Sequence, residues 1–159
     1  MSEQTLSHLP ARMAGNHLTL VFVALFGVVS VGGPLFYLMQ PLYIDEGLYL
    51  MIGSKITEGA LLYQDVIDHK PPGIFYLAAA ASQLFGTPHL VLRLLTYAVT
   101  SLTGALVYWI GRTLRGRLAG MVASLIFLTG MYLPHFQGYY FLTEQYAIFC
   151  TVLAAALFM

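Results

Sequence analysis

Two acidic clusters stand out in a chain of 159 residues that is 58% hydrophobic and only 9% charged. The first is the dipeptide Asp45-Glu46, four residues after Pro41. The second is "YQDVIDHKPPG", which gathers Asp65, Asp68, His69 and Lys70 just ahead of Pro71-Pro72. Five of the seven acids, and both lysines, fall between Tyr43 and Tyr76. A carboxylate within hydrogen-bond reach of a hydroxyl can take its proton as the oxygen attacks. A lysine ammonium is a usual partner for phosphate, and the stiff proline pair behind Lys70 fixes where the next helix begins.

Each group also has a plainer reading. Asp45 can cap a helix that starts with "LYLMI", with Glu46 complementing the helix dipole. Lys70 can snorkel to lipid headgroups. Arg93, four residues after His89, can anchor a helix at the interface, and Glu144 behind Thr143 can be a helix-start acid. His69, His89 and His135 are expected near the same face as the acids, which leaves a divalent metal possible. No two of them show paired ligand spacing. A net charge of zero offers no basic patch for nucleic acid. The single cysteine, Cys150, sits in an apolar run, so neither a disulfide framework nor a CxxC metal site is available.

The elements that must position these groups are apolar helices. Mean hydropathy is +0.76, and the apolar residues come in long runs, so the expected fold is all-α: a polytopic helical membrane protein. The run from His17 to Met39 has an apolar part of about 22 residues, about 33 Å of helix and enough to cross a bilayer. A signal peptide is the rival reading, but signal apolar regions are shorter, which favours an uncleaved anchor. Leu90 to Ile110 and Leu118 to Leu133 are also long enough. Between them "GRTLRGR" carries Arg112, Arg115 and Arg117, a strong signal for a cytoplasmic loop.

That loop conflicts with a crossing by "PPGIFYLAAAASQLFG", whose apolar part of about 14 residues reaches only about 21 Å. The expectation is that Pro71 to Gly86 lies at the outer interface or dips in without crossing. The organisation then reads as a cytoplasmic tail over 1–16 and about four transmembrane helices (about 17–39, 89–111, 118–134 and 143–159). The external loop over 40–88 carries interfacial helices. Within it Leu48, Met51, Ile52 and Ile56 fall on one helical face with Glu46 and Gly53 opposite, the pattern of a helix lying on a membrane surface or packed on neighbouring spans. The chain stops at "TVLAAALFM", within an apolar helical pattern, so a larger parent protein is expected.

Taken together, Asp45-Glu46, "GALLYQD", "DHKPPG", "PHLVLRLL" with Arg93, "YWIGRTLRGRLAG" and "FLTEQYAIF" with Glu144 resemble, in order, the N-terminal portion of polytopic GT-C glycosyltransferases. The nearest branch is that of dolichyl-phosphate-mannose protein mannosyltransferases and bacterial aminoarabinose transferases. The resemblance implies an inverting transfer of a sugar from a polyprenyl-phosphate donor to a hydroxyl of a lipid, glycan or protein. The reaction would run at the external face of a bacterial or archaeal cytoplasmic membrane. It implies Asp45 as catalytic base with Glu46 beside it. Lys70 would lie near the lipid phosphate, with Arg93 able to add charge. Asp68 and Glu144 would belong to the substrate pocket. The absence of a glycine-rich phosphate loop suits a lipid donor over a nucleotide. A transporter or flippase fragment is the competing class, although transporters tend to place ionisable residues in broken helices at mid-bilayer. A small non-catalytic membrane subunit is another.

Overall fold

A computed structural model describes residues 9–85 and 88–159. Among them the chain forms six helices: α1 (Leu9–Tyr37), α2 (Ile44–Thr57), α3 (Pro72–Leu84), α4 (Pro88–Arg115), α5 (Arg117–Met131) and α6 (Thr143–Leu157). The one extended pairing among the described residues is an isolated bridge between Leu62 and Val66, in the loop joining α2 to α3. The protein is an all-helical membrane protein, as the apolar runs require.

Length separates the helices into two groups. Asn16–Tyr37 within α1 and the 28 residues of α4 are long and apolar enough to cross a bilayer. The side chains along α1 are largely exposed, including Leu20, Val23, Val28 and Leu35, as expected for a helix solvated by lipid. α5 and α6 have 15 residues each, about 22 Å at 1.5 Å per residue. α3 has 13 residues, about 20 Å, shorter than the roughly 30 Å hydrocarbon core. It begins with Pro72, where the missing N–H costs nothing. The tail expected over 1–16 lies partly outside the described residues, and helix α1 already begins at Leu9.

α4 and α5 form a tight hairpin. Gly116 turns the chain between them at φ 87°, a conformation glycine adopts without strain. Close packing follows at once: a Cβ on Gly120 would lie 2.8 Å from the Arg112 amide nitrogen. Further along, Ser124 Oγ donates to the Gly104 carbonyl at 2.7 Å, which satisfies the hydroxyl inside the apolar contact. α6 packs against α4, and α2 packs against α3. The core around the site is built from Tyr49, Ile52, Phe75, Ala78, Leu92 and Phe141.

The orientation of α2 differs from the expected one. Its buried residues are Glu46, Tyr49, Ile52 and Gly53, whereas Met51 is 55% exposed. The apolar stripe placed Glu46 and Gly53 on the far side. The helix is turned because Gly53 has no side chain: a Cβ there would come within 2.7 Å of the Ala79 backbone nitrogen, so α3 can sit directly on it. Glu46 is drawn inward by a buried arginine.

Candidate active site

The N-terminus of α2 is where the acidic dipeptide divides. Tyr43 is the residue before the helix, and Ile44 opens it. Asp45 is therefore inside the first turn and not at the cap position, which removes the simple capping reading. Both acids favour that end of the helix through its dipole. Their side chains face different surroundings.

Glu46 is 2% exposed. One oxygen accepts from Arg93 Nε at 3.0 Å and from the Phe141 amide at 2.8 Å. The other accepts from Arg93 Nη2 at 2.6 Å and from the Tyr43 amide at 3.1 Å. A carboxylate offers about four acceptor sites, and all of these are filled. Arg93, 1% exposed, is equally committed. Beyond Glu46, its Nη1 donates to the carbonyls of Leu38 at 3.0 Å and Gln40 at 2.7 Å, and its Nη2 to that of Pro41 at 3.0 Å. Its five N–H groups are thus spent, and the Tyr140 ring lies 5.4 Å from its Cζ. With its donors committed in this way, Arg93 has no N–H left to offer a leaving phosphate. The guanidinium joins the end of α1, the start of α2, the loop before α6 and α4 itself.

Asp45 is half-buried. Its side chain takes part in no ion pair or hydrogen bond among the described residues, yet its charge acts on both Lys70 and Tyr49. Its acceptor sites are open.

Lys70 and Glu144 converge on the same region from residues 74 positions apart, with Nζ 2.7 Å from Oε1. The Lys70 side chain is 20% exposed and that of Glu144 56%. The hydrogen bond that Lys70 donates to Glu144 raises the Lys70 pKa above its ordinary value, so the ammonium is fully charged at neutral pH. Asp68 does not join this pair. Its side chain is 7% exposed, and its Oδ1 accepts the Lys70 amide at 2.9 Å. His69, 87% exposed, lies 3.6 Å from the same oxygen. Among the described residues no three His, Cys, Asp or Glu side chains are gathered so as to hold a metal ion.

Two hydroxyls complete the region, neither expected from sequence. Tyr49 is 1% exposed, and burial raises its pKa. Its hydroxyl lies beside that of Thr143, and neither makes a well-formed hydrogen bond. Tyr49 is three residues from Glu46 and four from Asp45, so helical spacing could have found it. Thr143 was legible only as the neighbour of Glu144. From this point an apolar groove of about 250 Å³ runs between α3 and α6, lined by Pro71, Ile74, Leu77, Thr143, Tyr146 and Ala147.

Comparison with known proteins gives a family. Residues 69–159 match the family model described as dolichyl-phosphate-mannose-protein mannosyltransferase. No curated protein and no solved structure matches the chain. The matched region contains Lys70, Arg93 and Glu144, and Asp45 and Glu46 precede it. With more than half of its length inside that family model, this membrane chain belongs to the dolichyl-phosphate-mannose-protein mannosyltransferase family of GT-C-type glycosyltransferases.

Proposed function

We propose that the protein moves a sugar from a polyprenyl-phosphate donor to a hydroxyl acceptor at the external membrane face, with Asp45 as the base. The observation that carries this reading is the contrast within one helical turn. Glu46 is saturated by four donors, while the Asp45 carboxylate has no hydrogen-bond or ion-pair partner among the described residues and lies within electrostatic reach of Lys70. The acceptor hydroxyl would give its proton to Asp45 as its oxygen attacks the anomeric carbon. A single displacement inverts that carbon and needs no covalent enzyme intermediate. The bond to the phosphate oxygen breaks, and the departing phosphate needs charge stabilisation more than protonation. Lys70 supplies that charge. The apolar groove beginning at Pro71 and Thr143 suits the isoprenoid tail of such a donor. Glu144 holds Lys70 until the phosphate arrives. Glu46 and Arg93 belong to the scaffold that presents Asp45.

Asp45→Asn tests this reading. It preserves size and removes only the charge and the ability to take a proton. Transfer of labelled sugar from a polyprenyl-phosphate donor by the full-length protein, at matched protein levels, is expected to fall by at least about 10²-fold. Retention of most of the wild-type rate would remove Asp45 from the reaction.

A further inference from the structure

The loop between α2 and α3 contains an unusual backbone. Tyr63 has φ 67°, in the left-handed region that a bulky side chain seldom occupies. Local bonds hold it there. Its N–H donates to the Val66 carbonyl at 2.7 Å, and the Asp65 carboxylate closes the same turn by accepting the Leu61 amide at 2.8 Å. This conformation has one distant result: the Tyr63 hydroxyl donates to the Lys70 carbonyl at 2.6 Å. On the other side of the same residue, Asp68 accepts the Lys70 N–H at 2.9 Å.

We infer that Tyr63 and Asp68 are positioning residues for Lys70, fixing both polar groups of its backbone so that its ammonium is delivered to one place beside Glu144. The argument is geometric. A lysine stem has four rotatable bonds, so the location of its charge is only as well defined as its starting point. Neither backbone group of Lys70 takes part in a helix or strand, and Pro71 after it restricts Lys70 to extended conformations. Two side chains hold what secondary structure would otherwise hold. Misplacing a group of this kind costs rate or affinity even when the group itself is intact. The inference rests on Lys70 meeting the donor phosphate, and it changes the expected part of Asp68. Asp68 acts through the Lys70 amide and not by contact with substrate. A carboxylate that serves only as an acceptor can be replaced by an amide oxygen.

The chain has two lysines, which provides an internal reference. Lys55 is 54% exposed and paired only with Glu58 at the surface. Competitive acetylation of the full-length protein in membranes, read by mass spectrometry, therefore reports the accessibility of Lys70 as a ratio to Lys55. Glu144→Gln, which removes the ion-pair partner, sets the scale. Tyr63→Phe and Asp68→Ala are each expected to raise the Lys70:Lys55 ratio about threefold to tenfold, the factor that one net hydrogen bond carries. Asp68→Asn should recover at least half of what Asp68→Ala loses. In the transfer assay the same variants should raise KM for the donor more than they lower kcat. The inference is overturned if Glu144→Gln moves the ratio while Tyr63→Phe and Asp68→Ala leave it unchanged. It is also overturned if Asp68→Asn is as damaging as Asp68→Ala, because the charge itself would then be what matters. Full activity of Lys70→Ala would end the proposed role of Lys70 in transfer, while the acetylation ratios would still decide whether Tyr63 and Asp68 hold it.

Discussion

Among the described residues, Glu46–Arg93 and Lys70–Glu144 link distant parts of the molecule through ion pairs of almost the same length and opposite surroundings. Glu46–Arg93 closes at 2.6 Å with side chains 2% and 1% exposed. Lys70–Glu144 closes at 2.7 Å with side chains 20% and 56% exposed. In the first pair every acceptor and donor is used, and two of the partners are backbone amides that no substrate could replace. In the second, one lysine proton meets one carboxylate oxygen. A buried charge that is fully satisfied is costly to disturb and unavailable for chemistry, because removing any partner leaves the others desolvated and unmatched. A half-open pair can exchange one partner for another at little cost. Asp45 and Glu46 are adjacent in sequence and lie on opposite sides of this division.

The largest expected effect comes from breaking the closed pair. Arg93→Leu leaves the Glu46 carboxylate buried beside two amides, and the carbonyls of Leu38, Gln40 and Pro41 without the donor they share. The expected loss is about 3–5 kcal/mol of stability, read as a lower thermal midpoint in detergent or as failure to yield a monodisperse protein. Arg93→Lys is expected to rescue little. It keeps the charge but has three donors in place of five, and it lacks the planar fork that matches a carboxylate. A near-normal Arg93→Lys protein would show that charge alone, and not the hydrogen-bond set, joins α1, α2 and α4.

A smaller loss is expected from Glu46→Gln. The amide keeps the shape of the carboxylate, but whichever way it is turned its nitrogen faces one Arg93 N–H and one backbone N–H, donor against donor. One mismatched buried group costs about 1–3 kcal/mol. The same change at Glu144 should cost much less, because water can solvate the new amide. Equal midpoint shifts for Glu46→Gln and Glu144→Gln would remove the distinction between the two pairs.

How much of this was legible in sequence depends on how local each cause is. The helices of α1 and α4 follow from long apolar runs, and the start of α3 from Pro71-Pro72, because propensity and hydropathy act on neighbouring residues. The packed face of α2 was misread because two of its determinants are remote. Gly53 is buried because Ala78 and Ala79 need its missing side chain, and Glu46 because Arg93 lies 47 residues away. Apolar periodicity assigns a charged residue and a glycine to solvent by default. Lys70 and Glu144 could be named singly, but nothing local to either indicates a partner 74 positions away. Tyr63 was invisible for a further reason: its left-handed backbone is held by the bond to Val66 and the turn that Asp65 closes on Leu61, and tyrosine gives no sign of favouring it.

The smallest effect on stability is expected at the open pair, and its sign with pH can be worked out. The hydrogen bond donated to Glu144 raises the folded pKa of Lys70 above the ordinary value of 10.5. A raised lysine pKa means that the folded state holds its proton more tightly than the unfolded chain does. The contribution of the pair is therefore fully present from above pH 4.5, the ordinary carboxylate value of Glu144, to below pH 10.5, and it disappears as the pH rises through the higher folded lysine value or falls through the lowered folded value of Glu144. Because water screens both groups, that contribution should be no more than about 1 kcal/mol. Lys70→Met is accordingly expected to lower the thermal midpoint only slightly, by an amount that stays constant from about pH 6 to about pH 9. Sugar transfer by the same variant should fall far more than its stability, since the phosphate would lose its counter-charge. Midpoints measured for both proteins across that window decide the matter. A gap that widens or closes between those limits would mean that Lys70 titrates there, and an open pair able to release its lysine to a phosphate would no longer describe this site.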